Sequence, residues 1–293
     1  MIAASPKMGA PELEALLPSS PDAYPQAVDL VRGLVLVIGM NPASYRAASF
    51  LDDRILGPAT RGAWLPGSAV TQAARKAGNP RPLHFIFHTG HVGSTLLSRL
   101  LDETGIVLGL REPLPLRTLA DAQDVLASPE SLLGPAQFEA LLDMLLRLWS
   151  RGYEGTRAVV VKATSSAGRA AVRLLAASPD SRAVYLSLRA EPYLATLLGG
   201  ANSTIDLRGH GPGRMRSLLA GRRLPTAPLH ALTPGELAAL GWLTGSLARA
   251  EALRAGGGRV LALDFDGFLA DVPGGLARVM SHFGLPPDGA LLA

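Results

Sequence analysis

In the stretch Phe85-Ile86-Phe87-His88-Thr89-Gly90-His91-Val92-Gly93-Ser94-Thr95-Leu96-Leu97 an apolar run gives way to two glycines and then to two hydroxyl residues. Residues of these types at this spacing can hold phosphate. Glycine admits positive φ, so the backbone at Gly90 and Gly93 can approach an anion closely. The free N–H groups of a helix starting at Ser94 would point at that anion, and the helix dipole would favour its charge. Ser94 and Thr95 add hydroxyl donors, and His91 and Val92 complete the turn. An ordinary strand-to-helix bend uses glycine too, but the Gly-x-x-Gly-Ser-Thr order after an apolar strand is more specific than a glycine pair. A nucleotide triphosphatase would carry Gly-x-x-x-x-Gly-Lys-Ser/Thr. Here Ser94 follows Gly93 directly, so the lysine that puts a point charge on the β- and γ-phosphates is missing.

Such a turn needs a strand before it and a helix after it. From residue 83 onward short β-rich runs alternate with long helical ones, the pattern of a parallel sheet. Strands are expected over 83–87, 106–110, 158–161, 183–188 and 259–265. Helices are expected over 94–102, 135–150, 167–177, 234–254 and 273–283, with another starting at Pro192. Thr233, Pro234 and Glu236 form a capping box with proline at the first helical position. The third strand ends in Lys162 and the fourth in Arg189, so neither supplies the acidic residue of a Walker B strand. Residues 26–80 read as mainly helical and irregular, with 43–56 as a helix packed on the domain. Residues 1–25, rich in Pro, Ser and Ala, read as a flexible segment. Residues 202–228 read as a long surface excursion, its first part either a lid or acceptor-binding loop or a solvated loop. With no repeat and no low-complexity linker, residues 26–293 are expected to form one domain.

Composition narrows the classes. The chain has 293 residues, 48% of them hydrophobic, enough for a sizeable core and too apolar for disorder. The formal charge is +4 and is spread along the chain, with no basic run to mark a nucleic-acid tail. Lysine occurs only at Lys7, Lys76 and Lys162, which makes Lys162 stand out. The absence of cysteine excludes disulfides, zinc-thiolate sites and a cysteine nucleophile. Residues 1–15 lack the apolar centre of a signal peptide, and the longest apolar run, 33–40, is far short of a bilayer span. A cytoplasmic location is expected.

The turn resembles the sulfonate-donor loop of PAPS-dependent sulfotransferases, which keeps the P-loop shape without the Walker lysine. Arg111-Glu112-Pro113 after the second strand is similar to bacterial members of that family. Lys162-Ala163-Thr164-Ser165 stands where the family often has a strand-end lysine. Leu186-Ser187-Leu188-Arg189 followed by Ala195-Thr196 resembles the arginine and serine that hold the donor's 3′-phosphate. Residues 264–271 and 282–286 are similar to the family's C-terminal segment. Four departures accompany the resemblance, which covers roughly residues 83–287. His91 replaces a usual Lys or Arg. Thr164 stands where the cytosolic branch has a catalytic histidine. Arg189 and Thr196 are seven residues apart instead of eight. The chain ends soon after Pro286, without a further donor-binding loop.

The resemblance implies a three-layer P-loop-like α/β fold with a mostly parallel central sheet flanked by helices. It implies sulfuryl transfer from PAPS to a hydroxyl or amine, with PAP as product and no metal. The acceptor, a small molecule or a glycan or peptide, stays open. Glu112, just past a strand's carboxyl end where open α/β sheets bind ligands, is the candidate general base; it could equally be a surface glutamate paired with Arg111. Lys162 is the candidate cation near the leaving oxygen, or a snorkelling strand-end lysine. His91 shares that role or is a turn residue, and His88 is structural. Arg189 and Thr196 are the candidate 3′-phosphate ligands, with an Arg189–Glu191 pair as the other reading. Ser165 and Ser166 are expected to cap the following helix. Asp264 and Asp266 have no third ligand nearby. Two alternatives stand: a P-loop nucleotide kinase or hydrolase, and a non-catalytic member of the fold that binds a nucleotide or partner.

Overall fold

A computed structural model describes residues 9–200, 203–220 and 227–286. Along the chain it contains α1 (Ala10–Leu16), β1 (Ala23–Asp29), β2 (Leu34–Gly39), α2 (Pro42–Ala47), β3 (Gly62–Pro66) and α3 (Gly67–Arg75). There follow β4 (Leu83–His88), α4 (Ser94–Glu103), β5 (Val107–Arg111), α5 (Leu114–Val125), α6 (Pro135–Trp149), β6 (Ala158–Lys162), α7 (Ala171–Ala177) and β7 (Ala183–Ser187). The remainder is α8 (Ala190–Gly199), α9 (Ser203–Leu219), α10 (Pro234–Gly256), β8 (Val260–Asp264), α11 (Phe265–Ala270) and α12 (Val272–His282).

The central sheet has the order β5-β6-β4-β7-β8, and every pair in it is parallel. Successive side chains of a strand point to opposite faces, and here both faces are covered. Phe85 and Phe87 of β4, Val159 and Val161 of β6 and Tyr185 of β7 enter one core with α5, α6 and α7. Ile86, Val160, Val184 and Leu186 enter a second core with α4, α8 and α12. This is the expected three-layer α/β arrangement. It explains why β6 reads as an unbroken valine run. The capping box at the start of α10 forms as expected: Thr233 Oγ1 accepts from Glu236 N–H, and the Glu236 carboxylate accepts from Thr233 N–H.

The N-terminal third departs from the sequence reading. Residues 23–66 hold an antiparallel three-stranded sheet, β1-β2-β3. Its middle strand, Leu34-Val35-Leu36-Val37-Ile38-Gly39, is apolar at every side-chain position, so no alternation marks it, and Pro25 in β1 disguises a strand. Only Pro42–Ala47 and a 3-10 turn at Asp53–Ile55 are helical within the helix expected over 43–56. Residues 10–25 are not a loose segment either: Leu13 and Leu17 are buried, and the buried Arg151 guanidinium donates to the carbonyls of Leu17, Ser20 and Ala23. Residues 203–219, expected as surface excursion, form α9 despite Pro212. Among the described residues no helix is long and apolar enough to cross a membrane.

Arg111 fastens this N-terminal part to the central sheet. Its side chain, fully buried, pairs with Asp102 of α4 at 3.2 Å and donates to the carbonyls of Ala48 (2.7 Å), Arg46 (3.1 Å) and Tyr45. Removing one member of a buried ion pair leaves the other charge uncompensated. Arg111→Met should therefore cost about 3–5 kcal/mol in urea unfolding. Arg147→Met, which breaks the half-exposed helical pair with Asp143, should cost about 0.5 kcal/mol. Equal costs would show that Arg111 is no such anchor.

Candidate active site

The phosphate turn closes in a run of left-handed residues. Gly90 has φ 105°, His91 φ 50° and Gly93 φ 65°. Gly93 is needed twice, because a Cβ there would also fall inside the ring of Phe265, which leads α11. No side chain caps α4, so its first-turn N–H groups remain available to an anion. Val92 is buried in the second core and anchors the turn, Ser94 is buried, Thr95 is half-buried and His91 is exposed. The turn is therefore built like a phosphate cradle, with a titratable His91 where a fixed charge would be stronger.

His88 ties this turn to the neighbouring strand. Its Nδ1 accepts the Gly90 N–H at 3.1 Å, so the ring proton sits on Nε2, which donates to the Ala163 carbonyl at 2.8 Å. Both nitrogens are used by backbone, so the ring is a strut, as its sequence setting implied. Burial, with the Lys162 charge adding to it, pushes its pKa down to about 3.

The strand next to β4 brings the second set of groups. Lys162, at the carboxyl end of β6, is buried, and its ammonium donates to Oε1 of Glu112, which follows β5. The contact is reciprocal, since Glu112 N–H donates to the Lys162 carbonyl at 2.7 Å. To make it Glu112 takes φ 52°, a left-handed conformation that a non-glycine residue holds only against strain. Burial lowers the Lys162 pKa, and the Glu112 carboxylate opposes that shift. Neither alternative for these residues holds: Lys162 does not snorkel to solvent, and Arg111 points to Asp102, not to Glu112. Phe50 roofs the pair, its ring centroid 5.4 Å from Lys162 Nζ and 3.5 Å from the Arg54 guanidinium carbon, while Arg54 is held by Asp52. Nothing in the sequence marks this roof, because residues 48–54 are brought to the site by contacts distant in sequence: Arg111 donates to the Ala48 carbonyl, and Leu51 N–H donates to the Arg111 carbonyl at 2.6 Å.

After β4 the chain turns into α4 on one face of the sheet, and after β6 it turns into α7 on the other. These adjacent strands thus flank a topological switch point, where open α/β sheets bind ligands. The phosphate turn and Lys162 stand on its two sides. Arg189 starts α8 beyond β7 and is exposed, with Asp266 at 3.9 Å and not Glu191 as its nearest acidic partner. Thr196 lies two turns along the same face of α8, and its hydroxyl donates to the Pro192 carbonyl. Asp264 caps α11 by accepting from Gly267 N–H. Ser165 and Ser166 are not caps: the 3-10 turn they open has no side-chain cap, and Ser165 Oγ lies 3.6 Å from where a Cβ would stand on Gly90.

His88 makes a pH test possible. Unfolded histidine titrates near 6.5, whereas native His88 stays neutral to about 3 and His84, also pushed down by burial, to about 4. Unfolding therefore takes up protons below pH 6.5, and stability falls as the pH drops, by about 1.4 kcal/mol per unit for each such group. In urea unfolding between pH 7 and 5, His88→Asn should lose one proton's worth of this slope. An unchanged slope would mean that native His88 ionises normally.

No family model and no curated protein matches the chain. Among solved structures it is similar to a sulfotransferase from Alicyclobacillus acidocaldarius, with 19% identity and TM-score 0.45 over 72% of this chain and 83% of that one. A sulfotransferase domain from the curacin biosynthetic pathway gives 14% and 0.44 over 73% and 77%. A sulfotransferase from Mycobacterium avium gives 14% and 0.44 over 97% and 85%.

Proposed function

We propose that this chain is a sulfotransferase that uses PAPS as donor and a hydroxyl or amine as acceptor. The observation that supports this most is a phosphate turn without a Walker lysine standing beside a buried Lys162–Glu112 pair. A nucleotide kinase places its cation on the turn itself; here the cation comes from the adjacent strand.

The residues present suit the donor. The left-handed turn at Gly90, His91 and Gly93 and the uncapped start of α4 offer N–H groups to a 5′-phosphosulfate, with Val92 fixing the loop and Ser94 and Thr95 adding hydroxyls. Arg189, with Thr196 two turns further along α8, would take a 3′-phosphate. When bound, PAPS supplies an activated sulfuryl group. Glu112 holds Lys162 through Oε1 and keeps its second oxygen to accept the proton of an acceptor hydroxyl. Once that carboxylate is protonated, the Lys162 ammonium loses half of its ion pair, and its charge becomes available to negative charge developing in the crevice. His91, exposed at the rim, adds charge there when protonated.

Calorimetric titration with PAP and, separately, with ATP and magnesium tests the donor assignment. PAP should bind and ATP should not, and Arg189→Ala should weaken PAP by about 10- to 100-fold, the range for a lost charge-assisted hydrogen bond. Binding of ATP alone would overturn the assignment in favour of a nucleotide kinase or hydrolase.

A further inference from the structure

An open cavity of about 440 Å³ adjoins the phosphate turn, bounded by α5, the 3-10 turn after β6, α9 and α10. Its size suits one small molecule. Thr89, the residue before Gly90, and Ser165, which abuts Gly90, line it. The chain segments that leave Glu112 and Lys162 also supply its walls: Arg117 and Asp121 from α5, Ser166 and Arg169 from the turn after β6. Neither Glu112 nor Lys162 is itself a wall residue; the cavity adjoins them through these segments.

The walls carry four arginines and one aspartate. Arg169 is committed, with both Nε contacts on Asp124 at 2.9 Å and Nη2 on Asp121 at 2.6 Å. Arg117, Arg214 and Arg216 make no ion pair among the described residues. Asp52 acts on Arg117 and Asp206 on Arg214 only through space, which leaves positive charge round the cavity that an anion would offset. Three polar atoms of the walls are buried without a partner: Arg214 Nη1, Ser166 Oγ and Thr89 Oγ1, the last on a residue only 3% exposed. Buried donors in native proteins are nearly always satisfied by protein, water or ligand, so these three leave hydrogen-bonding capacity in the cavity walls. The backbone makes room for them. A Cβ on Gly241 would stand 3.2 Å from the Arg214 guanidinium carbon, and one on Gly245 3.1 Å from Thr89 Cβ, so α10 is bare where it meets the cavity.

We infer that the cavity binds a small acceptor carrying an oxyanion, a carboxylate, phosphate ester or sulfonate, held by Arg117, Arg214 and Arg216. The word acceptor rests on the sulfotransferase reading; the oxyanion preference rests on the cavity alone.

The test uses four phenols that differ in the distal group: 4-hydroxyphenylacetate, 4-hydroxybenzenesulfonate, neutral tyrosol and cationic tyramine. Their binding to the whole protein is measured by calorimetry without donor, and PAP is titrated in parallel. The two anions should bind at least about tenfold tighter than tyrosol, with tyramine weakest. Arg117→Met and Arg214→Met, tested singly and each checked for an unchanged melting temperature, should each cost the anions about tenfold and leave tyrosol and PAP affinity unchanged. Equal binding of anions and tyrosol, or an anion preference that survives both substitutions, would overturn the inference. So would an equal loss of PAP affinity, which would assign the arginines to the donor. Anion binding with no PAP binding would support the cavity's preference and count against the sulfotransferase reading, so the two failures are distinguishable.

Discussion

A buried lysine at the end of a parallel strand must have its charge met, and much of this site follows from how Lys162 meets it. The ammonium is out of water, so it needs an anion within hydrogen-bond reach. Glu112 is that anion, and where it meets Lys162 it holds a left-handed backbone conformation. The reciprocal bond from Glu112 N–H to the Lys162 carbonyl holds the strained residue in place. Strain of this kind persists where the surroundings over-determine it, and here the surroundings are the carboxyl ends of β5 and β6 and the Phe50 roof. The pair is thus a product of the sheet's order as much as of its two residues.

The strand order explains the rest of the geometry. With β6 set between β5 and β4, Lys162 falls between Glu112 and the phosphate turn. With α4 and α7 on opposite faces, the ends of β4 and β6 open a crevice between them. His88 bridges that crevice at its base, one nitrogen on the turn and the other on the residue after Lys162. Arg111, next to Glu112 but pointing to the other face, gathers carbonyls from residues 45–48 and so brings Phe50 and Arg54 over the pair. Neighbouring residues on one strand end thereby do separate work: one builds the wall, the other occupies the site.

The central sheet and its turn were legible because their signals are local. Glycines at 90 and 93 before Ser94-Thr95, the valine run of β6 and the Thr233–Glu236 box each declare an element within a few residues. The N-terminal sheet was not legible, since β2 is apolar throughout and gives no period, and antiparallel pairing is settled by contacts distant in sequence. The partners of Arg111 and Glu112 were hidden for the same reason: Arg111 ends β5 and turns to Asp102, while Glu112, past the strand and left-handed, meets Lys162, so proximity in sequence suggested a pair that does not form. Residues 203–219 were misread because three glycines and a proline argue against helix, whereas packing on α10 overrides that propensity. The two serines after Lys162 resemble caps in sequence, and only the fold shows them turned toward Gly90 and a cavity.

The most direct test of the account is the rate of PAP release from PAPS in the presence of a small-molecule cell extract, compared between the native chain, Glu112→Gln and Lys162→Met. Both substitutions should lower the rate by at least about 100-fold, the range for a lost general base or charge stabiliser, and Glu112→Gln should leave PAP affinity unchanged. Variants that keep the native rate would contradict the assignment of the buried pair to catalysis.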